Sequence, residues 1–180
     1  GGKMGKAAYD FMEAIHGAGC RSWMLLPLCP AGDGDSPYSS RGIFAGDPRF
    51  IDPDTPVDMA GYEDFCRENS FWLEDYVLFV LLRRINGGAP WQSWPEDQRD
   101  RKNLEAVKRT YAEQLEELKK EQYAFFYQWD LVKKRAGELG ITLIGDLPIY
   151  AAVDGADVWA NREQFQLDEN GYPKIGRAHV

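Results

Sequence analysis

Histidine and cysteine are scarce: His16 and His179, with Cys20, Cys29 and Cys66, are all that 180 residues contain. Three thiols without a CxxC spacing build neither a disulfide framework nor a cysteine-rich zinc site, and two distant histidines give no histidine-based metal centre. Such thiol usage suits a reducing compartment, so the cytoplasm is the expected location. Basic charge is short as well, with 21 Lys and Arg against 29 Asp and Glu and a formal charge of −8. A nucleic-acid partner is therefore not expected, because phosphate backbones need a Lys/Arg surface. No apolar run reaches the roughly 18 residues that span a bilayer, and Gly1 to Lys6 has no signal-like apolar stretch, so no membrane partner is expected either. GxxxxGK[ST] is missing, and GDGDSP lacks the GxGxxG spacing of a phosphate cradle. Asp33 and Asp35 begin like a calcium loop, but Pro37, Tyr38 and Phe44 stand where a ligand, the glycine and the bidentate glutamate belong. Neither a metal nor a cofactor is expected.

What is present is material for a globular core: 44% hydrophobic and 13% aromatic residues. Ala7, Ala8, Phe11, Met12 and Ile15 recur at helical spacing, which predicts a helix from Lys6 to about Ala18, closed by Gly19. WMLLPL, Trp23 to Leu28, is apolar almost throughout and reads as a strand covered on both faces. A long Gly/Pro/Asp-rich loop follows from Ala31 to Pro56, and loops of such length in compact domains are usually functional. FWLEDYVLFVLLRRI, between Ser70 and Ile85, reads as a helix buried on several sides. After the turn NGGAPWQSWP, a charged helix is expected from Glu96 to Lys119 and a second from Gln122 to Leu139. Tyr123, Phe126, Trp129, Val132 and Ala136 mark the inner face of the second. ITLIGD, Ile141 to Asp146, repeats the strand-into-loop device. Strands separated by helices form parallel sheets with right-handed crossovers, so the loops AGDGDSPYSS and GDLPIYAAVDGADVW are expected to face one cleft.

Chemistry concentrates in those two loops. A sugar offers C–H faces to an aromatic ring and hydroxyls to a carboxylate, and charge-assisted hydrogen bonds contribute about 1.5–3 kcal/mol each. Read alone, Ser36-Pro37-Tyr38 reads as a turn with a packed tyrosine ahead of a sugar contact, and Asp146 equally as a helix cap or loop-shaping residue. Trp72, Trp91, Trp94 and Trp129 read as packing residues, and DQRDRK and LEELKKE as solvated helix faces.

Three blocks carry a resemblance: LPLCPAGDGDSPYSSRGIFAGDPRFID, NSFWLEDYVLF, and QWDLVKKRAGELGITLIGDLPIYAAVDGADVWANREQFQLDENGYP. Together, in this order and over nearly all of the chain, they resemble the 4-alpha-glucanotransferases, also called amylomaltases or disproportionating enzymes. The resemblance implies an α/β fold, an incomplete (β/α)8 TIM barrel of the α-amylase clan. Residues 1–174 would form its N-terminal part, with 59–121 an α-helical insertion between the second and third strands. It implies transfer of an α-1,4-glucan segment to a new 4-hydroxyl acceptor, without a cofactor. Such retaining chemistry uses two carboxyl groups roughly 5–5.5 Å apart, as nucleophile and acid/base. In the family both, and a further stabilising Asp, come from later strands, so no catalytic residue is expected here and the chain alone is expected to be inactive. By resemblance Tyr38 stacks on or borders the glucose at the cleaved bond, Ser36 lies beside it, and Asp146 binds its hydroxyls. The partners implied are α-1,4-glucans: maltooligosaccharides, or starch- or glycogen-derived chains.

Departures from the family pattern surround these residues without removing them. Asp33 stands where a tyrosine usually makes an accessory glucan contact, and Cys29, Ala151 and Gly155 replace glycine, valine and serine. The first barrel strand should precede Gly1, about five β/α units should follow Lys174, and Ile175 to Val180 leaves the pattern so abruptly that a non-native tail is expected. Arg177 and His179 would then have no function. A hydrolase of the same clan and a non-catalytic carbohydrate-binding protein are the competing functions.

Overall fold

The computed structural model describes residues 2–148 and 150–174. The expectations for 175–180, with Arg177 and His179, fall outside them. The first helix, α1 (Lys6–Gly17), forms where the periodic apolar face predicts it and buries Met12 completely. Strand β1 (Ser22–Met24) comes after it, then a short strand β2 (Ser39–Ser40) inside the long loop. Helices α2 (Tyr62–Glu68) and α3 (Ser70–Ile85) come next, and α3 lies at the expected bounds. It buries eight side chains between Trp72 and Leu82. At about 1.5–3 kcal/mol for each large apolar side chain removed from water, α3 is the strongest packing element.

The charged stretch after α3 departs from expectation. In place of one helix over 96–119, the chain forms α4 (Glu96–Arg99), α5 (Glu105–Thr110) and the start of α6 (Ala112–Glu138), which runs 27 residues. The break has a tertiary cause. Arg101 and Asn103 adopt left-handed backbone angles, φ 59° and 55°, and this turn carries the Arg101 guanidinium to Asp75, to the Ala160 carbonyl at 2.9 Å and over the Trp159 ring. A buried Leu104 anchors the entry into α5.

Helix α6 leads into strand β3 (Thr142–Ile144), then β4 (Tyr150–Ala151) and α7 (Ala156–Ala160). The strands β1 and β3 pair in parallel, Trp23 opposite Leu143. They are shorter than expected and covered on one face only. Trp23 and Leu143 pack against a core of Met12, Phe125, Val132, Ala136 and Ile141, whereas Met24 and Ile144 on the other face are 67% and 46% exposed. A second core surrounds α3, with Trp72, Trp91, Trp94 and Trp159 in it, so the first three of these tryptophans are packing residues as their setting suggests. Two buried amides tie the long loop to α6. Gln122 accepts from Gly46 N at 2.8 Å and donates to its carbonyl at 3.0 Å; Gln128 does the same for Asp52, at 2.8 Å each way. Among the described residues no helix is long and apolar enough to cross a membrane.

Candidate functional site

Because β1 and β3 run parallel, the segments that leave them emerge at the same end of the sheet. There the two segments are stitched together: β2 pairs in parallel with β4, Ser39 opposite Tyr150 and Ser40 opposite Ala151. Ala152 N donates to Ser40 O at 2.9 Å, and Ala156 N to Arg41 O at 2.8 Å. The tip of the first loop is then shaped by its own residues. Gly34 has φ 73° and Asp35 φ 54°, a left-handed pair that glycine adopts freely and aspartate tolerates. Gly32 approaches Ser39 so closely, N to O 2.6 Å, that a Cβ would stand 2.5 Å from that oxygen. The Ser36 hydroxyl accepts from Tyr38 N at 3.4 Å, so Ser36 shapes the turn that presents Tyr38.

At the tip, the Tyr38 hydroxyl donates to Asp146 Oδ2 at 2.9 Å. This bond joins the two loops across 108 residues of sequence, and Tyr38 keeps 38% of its surface open to solvent. The bond to Asp146, then desolvation, then the carboxylate charge push the Tyr38 phenol above its ordinary value. At neutral pH Tyr38 is therefore a hydroxyl, a hydrogen-bonding group that solvent reaches, and no general base. Asp146 caps no described helix: the next, α7, starts at Ala156 with Gly155 before it. All three expected residues lie at this junction. Among the described residues no group of three or more His, Cys, Asp or Glu is placed to hold a metal ion.

A sequence profile described as 4-alpha-glucanotransferase matches residues 1–60 and 55–176. The chain belongs to the 4-alpha-glucanotransferase family. The 4-alpha-glucanotransferase of Thermus thermophilus is 34% identical over 220 residues, 97% of this chain and 44% of that protein. That of Aquifex aeolicus (strain VF5) is 34% identical over 215 residues, 93% and 43%. Among solved structures, an amylomaltase from Streptococcus agalactiae in complex with acarbose superposes with a TM-score of 0.83 and 27% identity, over 94% of this chain and 44% of that one. The chain thus spans under half the length of these relatives. With this match the parallel pair β1 and β3, crossed over by helices, is part of the family's (β/α)8 barrel.

In this chain several residues that hold the junction carry no turn or strand-end signal of their own. Ser40, fully buried, donates to Pro30 O at 3.1 Å and accepts from Gly42 N at 3.1 Å. Asp157 accepts from Ile43 N at 2.9 Å, and burial pushes its carboxyl above the usual range against the opposing pull of backbone hydrogen bonds. Asp154 bonds Arg83, accepts from Trp91 N at 3.2 Å and lies 3.9 Å from Arg41 Nε. The signal available for the two aspartates was only the density of acidic residues in AAVDGADVW. The partners of these aspartates, Ile43, Arg83 and Trp91, lie far away in sequence.

Proposed function

We propose that this chain supplies the substrate-holding part of a 4-alpha-glucanotransferase acting on α-1,4-glucans, maltooligosaccharides and starch- or glycogen-derived chains. The observation that carries the proposal is the hydrogen bond from Tyr38 to Asp146 across two loops at one end of a parallel sheet. In this reading the Tyr38 ring lies against a glucose C–H face, and the Asp146 carboxylate accepts from hydroxyls of the same sugar. Ser36 sets the turn beside them. Together they hold the glucose at the cleaved bond while it passes through an oxocarbenium-like transition state, where small displacements are costly. The acarbose of the Streptococcus agalactiae amylomaltase supports an oligosaccharide ligand. The two carboxyl groups of a retaining double displacement are supplied outside this chain. A glucan 4-hydroxyl takes the place of water in its second step. We also propose that 59–121, which holds α2 to α5, is a helical insertion in the barrel, and that the protein works in the cytoplasm, where unpaired thiols persist.

Two preparations test the proposal with maltotriose as substrate. The purified chain releases no glucose above a buffer control. A chimaera in which residues 2–174 replace the matching part of the Thermus thermophilus relative yields glucose together with longer glucans. Glucose without longer glucans would instead mark a hydrolase, and sugar binding without turnover a binding protein.

A further inference from the structure

Asparagine is followed by glycine twice in the chain, at Asn86-Gly87 and at Asn170-Gly171. Asparagine in such a pair is chemically labile, because the next main-chain nitrogen can reach the side-chain carbonyl carbon and glycine puts no Cβ in its way. The fold sets the two pairs apart. Both glycine nitrogens are engaged alike: Gly87 N donates to Arg84 O and Gly171 N to Asp168 O, each at 3.1 Å. The asparagine amides differ. Asn86 Nδ2, half-buried at the end of α3, donates to Leu82 O at 2.9 Å and to Gln98 Oε1 at 2.7 Å. Asn170 is exposed, in a hairpin turn closed by Asp168 N donating to Tyr172 O at 2.7 Å. Its amide has no hydrogen-bond partner among the described residues. The glycine after it is as fixed as Asn170 is free. Gly171 is buried with φ 82°, a Cβ on it would stand 2.2 Å from Trp91 Cη2, and its carbonyl accepts from the buried Gln92 Nε2 at 3.3 Å.

We propose that Asn170 is a site of spontaneous deamidation and isoaspartate formation, and that Asn86 is kept intact by its own hydrogen bonds. The Gly171 nitrogen attacks Asn170 Cγ, a C–N bond forms, the Cγ–Nδ2 bond breaks, and the proton from the nitrogen leaves with the amide as ammonia. The product is a succinimide, which water opens at either carbonyl. Breaking the new bond to Cγ gives aspartate; breaking the original peptide bond gives isoaspartate. Isoaspartate adds one methylene carbon to the main chain directly before Gly171, which has no room to shift against Trp91. It also adds a carboxylate next in sequence to Asp168 and Glu169. The hairpin then loses either its turn bonds or its seat on Trp91 and Gln92. The competing explanation is that Asn170-Gly171 only forms the turn. Neither Tyr38 nor Asp146 takes part, so the site stands or falls separately from the glucan reading.

Ageing of the chain at mildly alkaline pH, followed by tryptic digestion and mass spectrometry, tests the proposal. Residues 163–174 form the tryptic peptide with Asn170, and 85–99 the one with Asn86. Expected in the first are exchange of the amide for an acid and labelling by an isoaspartyl methyltransferase. Conversion in the second should be at least about tenfold slower, because ring closure there must first break two hydrogen bonds. In urea, with the chain unfolded before ageing, the two rates should converge. Asn170→Ser should abolish the labelling of 163–174. The aged chain should melt below Asn170→Asp, which adds the charge without lengthening the main chain. Absence of isoaspartate in 163–174, or equal rates for the two peptides in the native chain, overturns the site. An aged, labelled chain that melts with Asn170→Asp overturns the effect of the added carbon on the Gly171 seat.

Discussion

Asp146 contributes a charged acceptor to a tyrosine that solvent also reaches, and the consequence is measurable at Tyr38 itself. Its phenol is raised above 10.0 first by the Asp146 hydrogen bond. Asp146→Asn keeps the shape and removes the charge, so NMR titration of the Tyr38 ring should show the phenol returning toward its ordinary value. An unchanged titration would mean the two groups are not bonded in solution. The sign of the pH effect is set by linkage. A phenol whose folded value is raised adds stability that is fully present below about 10 and is lost as the pH climbs through the raised value. At this scale the motif residues Ser36, Tyr38 and Asp146 are legible in the sequence, because a turn signal and a strand end mark their places. Arg41, Asp154 and Asp157 are not. Their meaning depends on partners such as Arg83 and Ile43 that only the folded chain brings near.

Helices α1 and α3 are legible because their apolar spacing has one solution. The interrupted stretch from Glu96 to Thr110 is not, since Arg101 leaves helical geometry to reach Asp75 and Trp159, contacts no local pattern encodes. The inner face of α6 is only half legible. Tyr123, Val132 and Ala136 are buried as their spacing predicts, but so are Gln122 and Gln128, both fully. A polar residue reads as surface until the backbone it satisfies is known. Gln128→Leu should therefore destabilise the chain more than its volume suggests, because it orphans the Asp52 N–H and the Asp52 and Thr55 carbonyls. Each buried group left unsatisfied costs about 1–3 kcal/mol. Chemical denaturation should show a loss of at least about 2 kcal/mol; a loss within about 0.5 kcal/mol would mean water replaces the amide. Gln122→Leu should behave alike through Gly46.

Across the whole molecule, the sheet face opposite the α1–α6 core is bare, with Met24, Leu26 and Ile144 exposed. The apolar run Trp23 to Leu28 announces burial on two sides, and the described residues cover only one of them. Exposed apolar faces and open strand edges favour association. Sedimentation velocity should show association growing with concentration. Met24→Ser with Ile144→Ser should reduce it while the melting temperature changes little; a concentration-independent monomer would contradict the expectation. The same sheet geometry carries the central claim, that its two exit loops form a sugar-holding surface. Asp146→Asn in the chimaera with the Thermus thermophilus relative tests this most directly. The account predicts that kcat/KM with maltotriose falls at least tenfold, about 1.4 kcal/mol or more of transition-state stabilisation, with the melting temperature essentially unmoved. A melting temperature lower by several degrees with kcat/KM retained would make Asp146 a structural residue and contradict it.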